Sequence, residues 1–298
     1  MNIRCFILAL PLLLSAGNRL FTATAQERRP AVIVCPGGSY CWHDMETEGR
    51  QVVSWLEANG IRAFLLKYRV QGVFDYIMHT RYIYRGHRHP DALNDAADMF
   101  DYLRSHADSL GIDTTQIGIM GFSAGGHLAM LTAEMLERKP AFVASIYPVV
   151  TMHKPYVHKR SRRALLGEYG KRRSIMRDSL SLERHVKPDC PPVFLVNCKD
   201  DPVVKYQNAE LLDSALTANG IPHRYIQYNT GGHGFGASDT KGTEECRQWR
   251  GEFLAWLKET LERKPHRHHH QPQHRADNRQ RCNICVGPRP RGTTRHTC

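Results

Sequence analysis

Between Ile117 and Glu137 the chain passes from a short apolar run through Gly121-Phe122-Ser123-Ala124-Gly125, with Gly126 behind it, into an amphipathic helical stretch. A strand that turns into a helix over so few residues leaves no room for Cβ atoms beside the turn, which is the reason for the flanking glycines. The serine between them is held in a strained backbone conformation with its hydroxyl pushed above the end of the strand. This strand, turn and helix constrain the fold more than any other feature of the sequence.

The rest of the chain repeats the alternation. Short apolar strands are expected at Ala31–Cys35, Ala63–Tyr68, Ile117–Met120, Phe142–Tyr147, Val193–Asn197 and His223–Tyr228. Amphipathic helices are expected at Glu46–Asn59, Pro90–His106, Ala124–Glu137, Lys205–Asn219 and Thr243–Glu262. That order predicts an α/β fold, a mostly parallel sheet with helices on both faces. Of the 298 residues 41% are hydrophobic, enough to bury a sizeable core as one large domain. Gly60 and Gly220 each follow an Asn and read as helix C-caps. Two segments break the pattern, Val70–His89 and the basic Thr151–Pro188. Both follow strands, where loops surround the site in open α/β sheets.

The formal charge of +12 is not spread evenly. Residues 151–190 hold 11 Lys/Arg against 4 Asp/Glu, and residues 265–298 hold 7 Arg against 1 Asp. The remainder is nearly neutral, so the body is not a nucleic-acid platform. Residues 1–25 read as an export signal: Arg4, an apolar stretch from Cys5 to Leu14, and Ala23-Thr24-Ala25 before Gln26. A secreted or periplasmic protein is expected, with no membrane span after cleavage, a catalytic domain over 26–264 and a disordered tail over 265–298. Export permits disulfides. Cys35 with Cys41 and Cys190 with Cys198 are the nearest pairs in sequence, though spacing does not fix connectivity. Cys282 and Cys285 have a zinc-ligand spacing, but a second well-placed pair is missing, and no metal is expected.

A serine hydroxyl is a poor nucleophile until a base takes its proton. His233 lies after the last expected strand, in Gly231-Gly232-His233-Gly234-Phe235-Gly236, where glycines let a loop carry the imidazole back to Ser123. An acid should follow the preceding strand, and the sequence there is Lys199-Asp200-Asp201-Pro202-Val203-Val204. Neighbouring side chains point differently, so either Asp200 or Asp201 serves, and the Asp-Pro step favours Asp201. The first strand ends in Pro36-Gly37-Gly38-Ser39-Tyr40, whose glycines permit close backbone approach to a ligand.

These motifs in this order resemble the α/β-hydrolase superfamily, and more narrowly secreted bacterial acetylxylan and feruloyl esterase-like hydrolases related to prolyl oligopeptidases. The resemblance covers about Pro30–Lys264. It implies Ser123 as nucleophile, His233 as base, Asp201 as acid, and an oxyanion hole from the N–H groups of Ala124 and of Gly38 or Ser39. It implies a small-molecule or polysaccharide ester as substrate, and no cofactor. Two departures stand out: Pro36 occupies the place of the family's usual His, and the fold is expected to be shortened at the N-terminus, with the basic segment as a cap insertion. The rival readings are a serine peptidase of the prolyl oligopeptidase type and a non-catalytic carbohydrate-binding relative.

Overall fold

A computed structural model describes residues 28–78 and 86–262; the expected signal and tail lie outside them. In chain order the elements are β1 (Arg29–Cys35), a π-helical turn (Glu46–Arg50) running into α1 (Gln51–Ala58), β2 (Arg62–Leu65), α2 (Val73–Met78), α3 (Asp91–Ser105) and α4 (Ala107–Leu110). Then come β3 (Ile112–Phe122), α5 (Ala124–Met135), β4 (Val143–Ile146), α6 (Lys159–Gly170), α7 (Ser174–Asp178) and a 3₁₀ turn (Leu182–Arg184). β5 (Val193–Cys198), α8 (Gln207–Ala218), β6 (His223–Tyr228), α9 (Glu244–Arg247) and α10 (Trp249–Glu262) complete the fold.

All strand pairings among the described residues are parallel, in the order β2-β1-β3-β4-β5-β6. Alternate residues of each strand feed two separate cores, as the period of two requires. Ile33, Ile119, Val143 and Leu195 face a core shared with Phe100 of α3, Leu128 of α5 and Leu212 of α8. Val34, Phe122, Ile146 and Phe194 face the other, with Leu56 of α1 and Trp249 and Phe253 of α10. The Phe253 ring packs near Phe142, Phe194 and Trp256. Truncation of an aromatic so placed costs about 3–5 kcal/mol, which fixes α10 beneath the sheet.

The basic segment after β4 is helical: α6, α7 and the 3₁₀ turn account for most of it. Its apolar side chains Leu165, Leu180 and Leu182 join the first core, while Lys154, Lys159, Arg160, Arg172 and Arg173 are exposed. The five described cysteines are free, and Cys198 neighbours Cys246, not Cys190. A Cβ placed on Gly231 would lie 2.7 Å from both the Cys198 and Cys246 sulfurs.

Candidate active site

The turn at Ser123 has the geometry its glycines suggested. Ser123 sits at φ 53°, ψ −115°, between the end of β3 and the start of α5. A Cβ on Gly121 would fall 2.0 Å from the Gly125 carbonyl oxygen, and one on Gly125 would fall 2.0 Å from that of Cys35. No side chain can yield there, because both obstacles are backbone. The Ser123 N–H donates to Ile146 O at 2.9 Å, tying the strained residue to the end of β4.

Ser123 and His233, 110 positions apart, meet with Oγ 2.9 Å from Nε2. Nδ1 of the same imidazole lies 2.6 Å from Asp201 Oδ2. Asp201 Oδ1 accepts from the Val203 and Val204 N–H groups at 2.8 and 2.9 Å, so the Asp-Pro turn aims this carboxylate. Its side chain is 1% exposed and that of His233 13%. Asp200 points elsewhere: it accepts from the N–H groups of Gly231 at 3.2 Å and Gly232 at 2.9 Å, fastening the base of the histidine loop. Tyr147, at the end of β4, lays its ring against His233 with centroids 4.6 Å apart.

Gly38, Ser39 and Tyr40 all have positive φ, at 136°, 59° and 60°. This turn hooks back over Ser123, and a Cβ on Gly37 would come within 2.9 Å of the Ser123 Cβ. Among the described residues the N–H groups of Gly38, Ser39 and Ala124 meet no protein acceptor, whereas that of Gly37 donates to Glu48 Oε2 at 2.6 Å. The Tyr40 hydroxyl donates to His127 Nδ1 at 2.8 Å, and His127 Nε2 donates to Leu180 O at 2.9 Å, so α5 anchors the turn. Burial of His127 depresses its pKa to about 4 and keeps the ring neutral in this chain of bonds.

Two participants escaped the reading of the sequence. Glu48 lies in an amphipathic stretch where an acid reads as solvated, yet it is 3% exposed. His158 precedes α6 and faces His233 and Asp201. Burial first, then the His233 and Arg160 charges, lower its pKa to about 4. Neither has a sequence signal, because each reaches the site only through tertiary packing. No group of three His, Cys, Asp or Glu residues among the described ones is arranged to hold a metal ion.

The BD-FAE family model matches residues 20–216, about two thirds of the chain. The chain belongs to the BD-FAE family. The matched span includes Ser123 and Asp201 and stops short of His233, whose place rests on geometry. An acetylxylan esterase of Xylanibacter ruminicola is 30% identical over 213 residues, covering 69% of this chain and 41% of that protein. Endo-1,4-beta-xylanase B of Butyrivibrio fibrisolvens is 29% identical over 220 residues, 70% of this chain and 32% of the relative. The chain thus spans well under half the length of both. Among solved structures, an acetyl ester-xyloside bifunctional hydrolase from Caldicellulosiruptor lactoaceticus is similar at TM-score 0.67 and 31% identity, over 78% of this chain and 84% of that one. The fold of this BD-FAE member is the α/β-hydrolase fold. The described sheet begins at β1, and no described helix is long and apolar enough to cross a membrane.

Proposed function

We propose that this protein is an exported serine esterase that removes acyl groups, acetyl or feruloyl, from plant polysaccharide through an acyl-enzyme. The observation that carries the reading is the continuous chain from Ser123 Oγ through the His233 imidazole to the Asp201 carboxylate, at 2.9 and 2.6 Å. Asp201 holds the tautomer that leaves Nε2 free to accept the serine proton, and it stabilises the imidazolium formed as Oγ attacks the acyl carbon. The oxygen that gains charge meets N–H groups of Ala124 and of Gly38 or Ser39, fixed in place before the reaction begins. Collapse expels the sugar alcohol, protonated by His233. A water molecule, deprotonated by the same imidazole, then releases the acid and restores Ser123. Every proton in this sequence moves between Ser123, His233, the leaving group and water.

The acetylxylan esterase and acetyl ester hydrolase relatives support an ester on a carbohydrate as substrate. The test is turnover of p-nitrophenyl acetate and acetylated xylan beside peptide anilides. Ester turnover that Ser123→Ala abolishes, with the anilides untouched, is expected. Wild-type-like turnover by folded Ser123→Ala would remove the mechanism. Export is tested by the N-terminus of the protein recovered outside the cytoplasm, expected at Gln26.

A further inference from the structure

Glu48 stands in the π-helical turn ahead of α1, a buried carboxylate that the esterase chemistry above does not use. Burying such a group is costly unless donors face its oxygens, and here each oxygen has one. Gly37 N–H donates to Oε2 at 2.6 Å. The Tyr147 hydroxyl donates to Oε1 at 2.8 Å, and its oxygen in turn accepts from Gly236 N–H at 3.0 Å. With the Tyr147 oxygen taking that N–H, its proton is free to point at Glu48 Oε1, while Oε2 receives the Gly37 N–H, so each carboxylate oxygen has a donor. The arrangement fits the anion.

The two partners, and Gly236 behind Tyr147, belong to the parts that must be aligned for acyl transfer. Gly37 opens the turn that hooks over Ser123. Tyr147 leaves β4 beside the serine and lies against the His233 ring, and Gly236 closes the histidine loop. We propose that Glu48 is a positioning residue: one buried carboxylate that ties the turn after β1 to the His233 loop and faces the imidazole with a second negative charge beside that of Asp201. The inference rests on the esterase reading and adds a residue to it.

The electrostatics are reciprocal. Burial pushes the Glu48 carboxyl above its ordinary range, and the charge on His233, the Tyr147 hydroxyl and the Gly37 N–H offset that rise in part. By the same interaction an ionised Glu48 stabilises the imidazolium. Besides Ser123, four groups face His233 from different elements: Asp201 after β5, Glu48 before α1, Tyr147 at the end of β4 and His158 before α6. Asp44 bears on Glu48 from its own turn and is 3.7 Å from Lys241 Nζ.

The experiment compares Glu48→Gln, Glu48→Asp and Tyr147→Phe with wild type in kcat, KM and the pH profile of kcat/KM, whose acid limb reports the free enzyme's base. Glu48→Gln should lower kcat by about tenfold or more with KM nearly unchanged, and should move the acid limb to lower pH, since the imidazolium loses an anionic neighbour. Glu48→Asp keeps the charge but shortens the reach, so kcat should fall while the limb stays. Tyr147→Phe removes one of the two donors on the carboxylate and should lower kcat, moving the limb less than Glu48→Gln does. A folded Glu48→Gln protein with the wild-type limb overturns the charge. Should Glu48→Gln fail to fold, the other two variants decide: wild-type kcat in Glu48→Asp or in Tyr147→Phe overturns the positioning role. Ser123→Ala is measured alongside. Turnover that survives it sinks the esterase reading, whereas turnover that needs Ser123 and ignores Glu48 sinks this inference alone.

Discussion

The Asp201 carboxylate reaches His233 Nδ1 at 2.6 Å, while the adjacent Asp200 turns away to hold the Gly231 and Gly232 N–H groups. Adjacent acids therefore have separate tasks, one on the imidazole and one on the loop that carries it. Asp201→Asn should cut kcat by about 10⁴, the loss expected when the wrong imidazole tautomer is favoured. Asp200→Asn still offers one oxygen to the loop and should cost about tenfold or less. Steady-state rates on an acetyl ester rank the two, and the reverse ranking would move the acid to Asp200.

The close approach at the Ser123 turn makes a stability prediction. A Cβ on Gly125 would meet the Cys35 carbonyl oxygen at 2.0 Å, so Gly125→Ala must displace either β1 or α5. A loss of about 3 kcal/mol or more is expected. Gly251 in α10 is the contrast: a Cβ there meets nothing within 4 Å, and the residue is exposed. Gly251→Ala should raise stability by about 0.5–1 kcal/mol through helix propensity. Denaturant melts of the two variants check both signs.

What the sequence disclosed follows from how local each signal is. The strand at Ile117–Met120, the turn at Ser123 and the helix after it are coded by neighbouring residues, and the structure keeps all three, extending β3 to Ile112–Phe122. β2 ends at Leu65, short of the Tyr68 expected, because beyond Leu65 the chain leaves the pairing with β1 and the Tyr68 hydroxyl turns to donate to Pro36 O. The segment 151–190 hid its helices because α6 buries only one stripe, Ser161, Ala164, Leu165 and Leu166, under a surface of Lys and Arg. Cys198 and Cys246 are 48 positions apart and come together only because the histidine loop and α9 fold over the end of β5. Glu48 could not be recognised at all, since what makes it unusual is the burial that its partners Gly37 and Tyr147 create.

Stability should fall on mild acidification. In the fold His127 titrates at about 4, below the ordinary histidine value near 6.5. Between those values the unfolded chain binds the proton and the folded one does not, so stability rises with pH through that window. Lowering the pH from 7 to 4 should cost on the order of 3 kcal/mol from this fully buried group, and partly buried His158, also held near 4, acts in the same direction. Melting temperatures across that range test this. The raised carboxyls of Glu48 and Glu134 act in the opposite direction, so the profile is compared with that of His127→Gln: an acid-side slope that this variant keeps unchanged would show that His127 is not held neutral.

The last prediction concerns the basic segment. Lys154, Lys159, Arg160 and Lys205 surround an open groove of about 520 Å³, with His158 in its wall. No described acid pairs with any of the four, although Lys171 and Arg163 in the same segment do pair with Glu168. The groove adjoins the proposed site at two points. His158 feels the charges of His233 and Asp201, and the Arg160 guanidinium lies 5.3 Å from the ring centre of Trp42, in the loop after β1. Unpaired cations beside a cleft attract an oppositely charged ligand, and the attraction fades as salt is added, with a screening length of about 8–10 Å at physiological ionic strength. For an acetyl ester on a uronate-bearing xylan, kcat/KM should therefore fall between low and moderate salt, while that for a neutral acetyl ester should hold. Lys159→Gln combined with Lys205→Gln should flatten the salt dependence of the acidic substrate and leave the neutral one unchanged. Equal salt dependence for the two substrates would mean that these side chains only keep the outer face of α6 in water.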